Sequence, residues 1–285
     1  MDLCDLNCIL PILERHGFRF SKSLGQNFLT DPAVPPHIAE ASGVGPENGV
    51  LEIGPGVGCL TRELAVRAGQ VVSVELDSRL IPVLQETVGD CGNVHILPGD
   101  VMKADLDTIL DGFFSGLTPA VCANLPYNIT TPVLTKLLRC GRFQTVTVLI
   151  QKEVAQRLCA GPGEEDYGAF SVFVQYYTDP ELCFSVPAGC FTPRPKVTSA
   201  VVRLTRRTIP PVSVRDEGMF HKVVRGAFAQ RRKTLLNSLQ SAFGSLGRDR
   251  LERCIRACGL EPGVRGETLG LTEFATLADV IGEEL

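Results

Sequence analysis

Residues 50–61 read VLEIGPGVGCLT. VLEI is a short apolar run of the kind that fills a buried strand, and TRELAVRA (61–68) follows with helical spacing. Between them lies a turn carrying Gly54, Gly56 and Gly58. Glycines without a Cβ let a ligand approach the backbone, and the helix start beyond them offers free N–H groups. The spacing is not the dinucleotide fingerprint G-x-G-x-x-G: counted from Gly54 the last position is Cys59, and counted from Gly56 it is Thr61. That disfavours a nicotinamide oxidoreductase. Taken alone, the loop is equally well a tight structural turn.

The same alternation continues downstream. VVSVEL (71–76), NVHIL (93–97), AVCAN (120–124) and TVTVLI (145–150) read as strands. SRLIPVLQETV (78–88), TPVLTKLLRC (131–140) and KEVAQRLCA (152–160) read as the helices between and after them, with Pro132 near a first helical position where proline is favoured. Repeated strand–helix units predict a parallel, doubly wound sheet with right-handed crossovers. GPGEED (161–166) interrupts the pattern. YGAFSVFVQYY (167–177) predicts a helix, and PELCFSV (180–186) and SAVVRL (199–204) predict strands around the proline-rich loop CFTPRPKV. TRRTIPPVS (205–213) reads as a linker, and from 215 the spacing is helical throughout. The expected division is therefore residues 1–208, a first helix ending near Gly17 followed by the α/β domain, and residues 209–285, a smaller all-helical domain.

Glu75 closes the second strand of the α/β region, Asp100 follows the third and Asn124 ends the fourth. Open α/β sheets bind ligands at the carboxyl ends of their strands. A carboxylate at Glu75 can accept from both ribose hydroxyls, and Asp100 can accept from an adenine amino group. Each residue alone could be a helix cap; with the glycines they point to a nucleoside-type cofactor. NLPYNI (124–129) ends the fourth strand with an amide, a rigid imino acid and an aromatic ring. It is a turn, a core fragment, or a device that holds something flat.

Composition narrows the class. The chain has 285 residues, is 44% hydrophobic and 21% charged, and has no apolar run near the length a membrane span needs. The amino-terminal stretch MDLCDLNCILPILERHGF carries acids early and bases late, the reverse of a secretory signal. Eleven scattered cysteines, an odd number, predict free thiols in a reducing cytoplasm, with no metal site expected. Net charge is −4, but unevenly spread. Residues 190–256 hold 15 of the 28 Lys and Arg and 4 of the 32 Asp and Glu, leaving 13 against 28 elsewhere. That asymmetry, densest in QRRK (230–233), predicts a basic surface for nucleic acid over a merely solvated helical face.

An ordered set of motifs then resembles one family. FSKSLGQNFLTDP, VLEIGPGVGCLT, VVSVELD, GDVMKAD, NLPYNITTP, QKEVAQRL, FTPRPKVTSAVVRL, AFAQRRKTLLNSL and RGETL, spanning nearly the whole chain, are similar to those of S-adenosylmethionine-dependent small-subunit ribosomal RNA adenine N6,N6-dimethyltransferases. The resemblance implies a Rossmann-like methyltransferase domain with a helical RNA- or ribosome-binding domain after it. It implies S-adenosyl-L-methionine as cofactor, held by Asn27, Leu29, Gly54, Glu75, Asp100 and Asn124. The implied substrate is a pair of adjacent adenosines in the 3′-terminal hairpin loop of 16S rRNA within an immature 30S subunit, modified by a monomeric cytoplasmic enzyme acting in ribosome biogenesis. One departure is VTS at 197–199, where the family commonly has VDS; Thr198 lies outside the cofactor motifs.

The chemistry these residues suit is methyl transfer to an exocyclic nitrogen. That lone pair is delocalised into the ring, so acceptors for its N–H groups are needed to localise it. Asn124 and the Leu125 carbonyl, on a turn stiffened by Pro126, are the expected acceptors, and Tyr127 is the expected stacking face. Phe191 either stacks on the other face of the base or packs in the core. Arg194, Lys196, Arg231, Arg232 and Lys233 are the expected phosphate contacts, which position RNA without reading sequence. Two alternatives share the motifs: methylation of an adenine in large-subunit rRNA, and a non-catalytic assembly or transcription factor.

Overall fold

The computed structural model describes residues 1–19 and 25–285. Residues 20–24, the FSKSL of the motif FSKSLGQNFLTDP, lie outside the described residues. In chain order the elements are α1 (Leu6–Arg15), β1 (Phe28–Leu29), α2 (Val34–Ser42), β2 (Asn48–Ile53), α3 (Cys59–Arg67), β3 (Gln70–Glu75), α4 (Ile81–Val88) and β4 (Val94–Pro98). Then come α5 (Leu106–Phe113), β5 (Thr118–Asn124), α6 (Thr130–Cys140), β6 (Thr145–Gln151), α7 (Lys152–Cys159), α8 (Ala169–Tyr177), β7 (Thr178–Val186), β8 (Phe191–Thr192) and β9 (Ser199–Arg206). Four helices close the chain: α9 (Glu217–Phe228), α10 (Leu235–Ala242), α11 (Arg248–Ala257) and α12 (Leu271–Glu283).

Seven strands form one sheet in the order β4-β3-β2-β5-β6-β9-β7. The five from β4 to β6 are parallel, as their alternation with helices requires. β9 runs antiparallel to β6, with Gln151 opposite Ser199. The sheet is thus mixed rather than wholly parallel. Only a single 3-10 turn, Ala188–Cys190, and the short β8 lie between β7 and β9, with no α-helix, so no right-handed crossover is imposed there. A separate two-stranded ladder pairs β1 with β8, setting Leu29 opposite Phe191.

Contacts divide the chain into two compact units, residues 1–155 with 181–206, and residues 156–180 with 207–285. In the first unit, Ile38 and Ala39 of α2 and Leu60 and Leu64 of α3 pack on Val50, Val71, Ala120 and Cys122 of the sheet, all fully or almost fully buried. Another cluster joins Ile9, Ile12 and Leu13 of α1 to Leu80, Val83 and Leu84 at the start of α4. The second unit has its own core, in which Tyr167, Val172 and Tyr176 pack with Phe220, Leu239, Ile255 and Phe274. The sequence division assigned residues 156–180 to the α/β domain. Their apolar side chains pack instead with the carboxy-terminal helices, and the Tyr167 hydroxyl donates to the Leu269 carbonyl at 2.9 Å.

Two helices carry no expectation from the sequence. α2 opens on Val34-Pro35-Pro36 and ends at Gly43, whose φ is 67°; prolines at a first turn and a left-handed glycine at the end are ordinary helix punctuation. In α5 the Asp105 carboxylate caps the N–H groups of Asp107 and Thr108. The stretch AFAQRRKTLLNSL, where helical spacing is expected throughout, is divided between two helices: α9 ends at Phe228, and α10 begins at Leu235 with Thr234 accepting from the Asn237 N–H. Among the described residues no helix is long and apolar enough to cross a membrane, and all eleven cysteines are free thiols.

Candidate active site

The carboxyl ends of β2, β3, β4 and β5 line one crevice with residues 25–29. Its floor is the glycine turn after β2. Gly54, Gly56 and Gly58 have φ of 67°, 62° and 93°, which L side chains rarely adopt. A Cβ on Gly58 would lie 2.6 Å from Val88, so that glycine serves packing. A Cβ on Gly54 would meet only the Pro126 ring, at 4.0 Å, and would otherwise stand in the crevice. Gly54 is therefore the place where a ligand can lie against backbone.

Glu75 ends β3 in the same crevice and is 5% exposed. Burial pushes its carboxyl up to about 7, against the backbone N–H donors of Asp77 and Gly56 that hold it down. The Asp77 N–H reaches Glu75 Oε1 at 2.7 Å. Asp100 lies two residues beyond β4, half-buried, with Oδ1 accepting from the Met102 N–H at 2.9 Å.

Asn124 ends β5. Its amide nitrogen donates to the Asn27 carbonyl at 3.2 Å, which joins two expected contacts and fixes the amide's orientation. Among the described residues no donor reaches Asn124 Oδ1. The next residue, Leu125, is 1% exposed; its N–H donates to the Leu149 carbonyl at 3.1 Å. Its own carbonyl accepts from none of the described residues. Pro126 has φ −56° and ψ 130°, and its carbonyl accepts from the Ile129 N–H, which closes the short turn at Tyr127–Ile129. Tyr127 lines the crevice half-buried, its hydroxyl sharing a 2.6 Å hydrogen bond with that of Ser199. Asn27 and Leu29 line the same crevice, and Leu29 is anchored by the β1–β8 ladder.

Two residues, one lining the crevice and one behind it, were not anticipated. Glu52, next to last in β2, lines the crevice at 1% exposure. Burial pushes it up to about 7, while the hydroxyls of Ser73 and Thr61, donating to Oε2 at 2.6 and 2.7 Å, hold it down. An acid inside an otherwise apolar strand, VLEI, was the available signal. Asp77 accepts from Gln26 Nε2 at 2.9 Å and from Arg79 through both oxygens, at 2.8 and 2.6 Å. The Arg79 guanidinium holds its carboxyl below the usual carboxylate range. Asp77 so links the segment bearing Asn27 to the backbone that orients Glu75.

The expected RNA contacts fare differently. Phe191 is a correction: at 3% exposure it packs among Leu29, Val34, Ile38 and Val201, so its ring is a core side chain and not an open stacking face. Arg194 and Lys196 are exposed on the loop between β8 and β9. In the second unit, Arg231, Arg232 and Lys233 are exposed on the turn between α9 and α10. Arg231 is engaged, pairing with Glu267 at 3.3 Å and donating to the Glu165 carbonyl. Arg232 and Lys233 have no ion-pair partner among the described residues.

The profile of the family described as "Ribosomal RNA adenine dimethylase" matches residues 17–260. A "Ribosomal RNA small subunit methyltransferase A" of Geobacillus thermodenitrificans is 48% identical over 274 residues, 95% of this chain and 94% of its own length. A protein of the same name from Bacillus cereus is 46% identical over 284 residues, 98% of this chain and 97% of its own. Among solved structures, a dimethyladenosine transferase from Plasmodium falciparum shares the fold, with TM-score 0.75 at 22% identity over 90% of this chain and 98% of that one. The 23S rRNA methyltransferase ErmE superposes with TM-score 0.68 at 28% identity over 90% of this chain and 99% of that one.

Proposed function

The chain belongs to the ribosomal RNA adenine dimethylase family, and from that premise we propose that it dimethylates N6 of two adjacent adenosines in the 3′-terminal hairpin loop of 16S rRNA. The near-full-length likeness to small-subunit methyltransferases, at 46–48% identity, supports the small-subunit target over the large-subunit one of ErmE, at 28%. The substrate on this reading is rRNA within an immature 30S particle, met by a monomer in the cytoplasm.

The crevice fits S-adenosylmethionine, which supplies an electrophilic methyl group when bound. Glu75 would accept from the ribose hydroxyls and Asp100 from the adenine amino group. Gly54 would lie against the cofactor with no Cβ between, and Asn27 and Leu29 would close the methionine side. The donor set agrees: carboxylates for hydroxyl and amino donors, and exposed backbone where a flat group needs room.

What carries dimethylation of an amino group is the pair of acceptors at the end of β5. An adenine amino group has two N–H bonds and a lone pair conjugated with the ring. Asn124 Oδ1 and the Leu125 carbonyl are two acceptors one residue apart, both unused by the described residues. Accepting both N–H bonds draws the nitrogen toward a tetrahedral shape and frees its lone pair for attack. Tyr127 supplies an aromatic face beside them, and stacking a base is worth roughly 1–3 kcal/mol. The rate gain is mostly orientation: a misplacement of about 1 Å costs on the order of 100-fold. A loop adenosine suits such a site because it is already unstacked.

The test is transfer of labelled methyl groups to three substrates: immature 30S particles, 50S particles and naked 23S rRNA. Label in the 30S particles, recovered as N6,N6-dimethyladenosine, is the expected result. Label confined to 23S rRNA would move the reading to the large subunit, and binding to 30S without transfer would make the protein an assembly factor.

A further inference from the structure

We propose that Ser199 is a positioning residue that anchors the Tyr127 ring in place, and that its hydrogen bond matters most for the second of the two methyl transfers. The proposal rests on the dimethylation read from the crevice above and adds a residue from a different strand to it.

Tyr127 leaves the end of β5 on a short turn closed by the Ile129 N–H donating to the Pro126 carbonyl at 3.2 Å. A ring on such a turn can swing about its Cα–Cβ bond, and a hydrogen bond at the hydroxyl, the far tip of the ring, fixes where the ring stands. The Ser199 hydroxyl provides that bond at 2.6 Å. Ser199 is itself immobile: it is 0% exposed and begins β9, opposite Gln151 of β6. The Lys152 N–H donates to the Thr198 carbonyl at 3.0 Å, pinning the strand start. The contact therefore reaches from the end of β5 across β6 to β9, and ties the NLPYNI and KVTS stretches into one wall. Burial raises the Tyr127 hydroxyl above the ordinary phenol value, so it remains a neutral hydroxyl at any physiological pH.

The second transfer follows from counting donors. An unmodified adenine amino group presents two N–H bonds to Asn124 Oδ1 and the Leu125 carbonyl. Each transfer would form an N–CH3 bond as the donor's S–CH3 bond breaks to a thioether, with one N–H proton released to water; after the first, a single N–H remains, so one of the two acceptors no longer grips the base. Orientation then depends more heavily on the stacking face. A ring free to swing costs little while two hydrogen bonds hold the base, and more when only one does.

The experiment compares the wild-type protein with Ser199→Ala, Tyr127→Phe and the double variant on 30S particles lacking the modification. Nucleosides are resolved by mass spectrometry into N6-methyladenosine and N6,N6-dimethyladenosine along the time course. Each single variant is expected to slow the second step about five- to tenfold, the size of one hydrogen bond's net effect, and to accumulate the monomethyl product. The first step changes less, and affinity for S-adenosylhomocysteine stays within about twofold. The double variant is no slower than the worse single one, because both remove the same bond. Tyr127→Phe keeps the ring and carries the test if Ser199→Ala does not fold. An unchanged ratio of mono- to dimethyl product in the variants overturns the proposal, whatever happens to thermal stability, as do effects that multiply in the double variant. If the wild-type protein leaves the adenosines unmethylated, it is the dimethylation reading itself that fails.

Discussion

Asn124 uses the two ends of one amide differently. Its nitrogen is committed to Asn27, and its oxygen is left for a substrate donor. Asn124→Ala removes both, and kcat on 30S particles is expected to fall by about 100-fold or more. Thermal stability should hold nearly constant, since the residue is only half-buried; a variant within a few-fold of wild type would remove Asn124 from the chemistry. Glu75 gives a prediction in pH. Its carboxyl sits near 7 in the folded protein, above the ordinary 4.5. The folded state therefore holds this proton longer than the unfolded chain, and the stability so gained is fully present below about 4.5 and lost as pH rises through about 7. The ionised form is the better acceptor for ribose hydroxyls. Stabilisation by S-adenosylhomocysteine, read as a shift in melting temperature, should accordingly be larger at pH 8 than at pH 6. Glu75→Gln should shrink the shift and flatten its pH dependence; an unaltered profile would mean that another group controls binding. Glu75 was legible in the sequence because it closes a β-branched strand. Ser199 was not, because nothing local relates it to Tyr127, 72 residues earlier.

At the level of elements, the strands and the helices between them follow from apolar runs and their spacing. The two unanticipated helices, α2 and α5, are 9 and 8 residues long. Such short helices form because their apolar faces are covered by tertiary packing, which periodicity in a single window registers weakly. The break between α9 and α10 has a local cause that was present in the sequence: Thr234 is a capping residue, and a cap starts a helix rather than continuing one. Its consequence is that QRRK is presented on a turn. Arg232→Glu with Lys233→Glu is expected to weaken RNA binding several-fold at low salt and to reduce the salt slope by roughly one per residue removed. Arg231→Glu should in addition lower the melting temperature, because it sets a carboxylate against Glu267. If charge reversal at 232 and 233 left binding and its salt dependence intact, the basic turn would not be an RNA contact.

For the whole molecule, the order of motifs along the chain identified the family more securely than any one of them. The glycine turn is compatible with a plain turn, NLPYNI with a core fragment, and the basic run with a solvated face. Their sequence, spread over both compact units, is compatible with few proteins. Where residues 156–180 pack was less legible, since a helix with two apolar neighbours does not announce which core it joins. Phe191 illustrates the same limit at one position: an aromatic in a proline-rich loop reads equally as platform or core, and only the β1–β8 ladder and its 3% exposure decide for core. The central claim, that the end of β5 holds an rRNA adenosine for double methylation, is met most directly in cells. A bacterial strain lacking its own small-subunit adenine dimethyltransferase is complemented with this protein or with its Asn124→Ala variant, and the 3′-terminal loop of 16S rRNA is read by mass spectrometry. Both adjacent adenosines should return to N6,N6-dimethyladenosine with the wild-type protein and stay unmodified with the variant. Dimethylation restored by the variant, or absent with the wild type, would contradict the account.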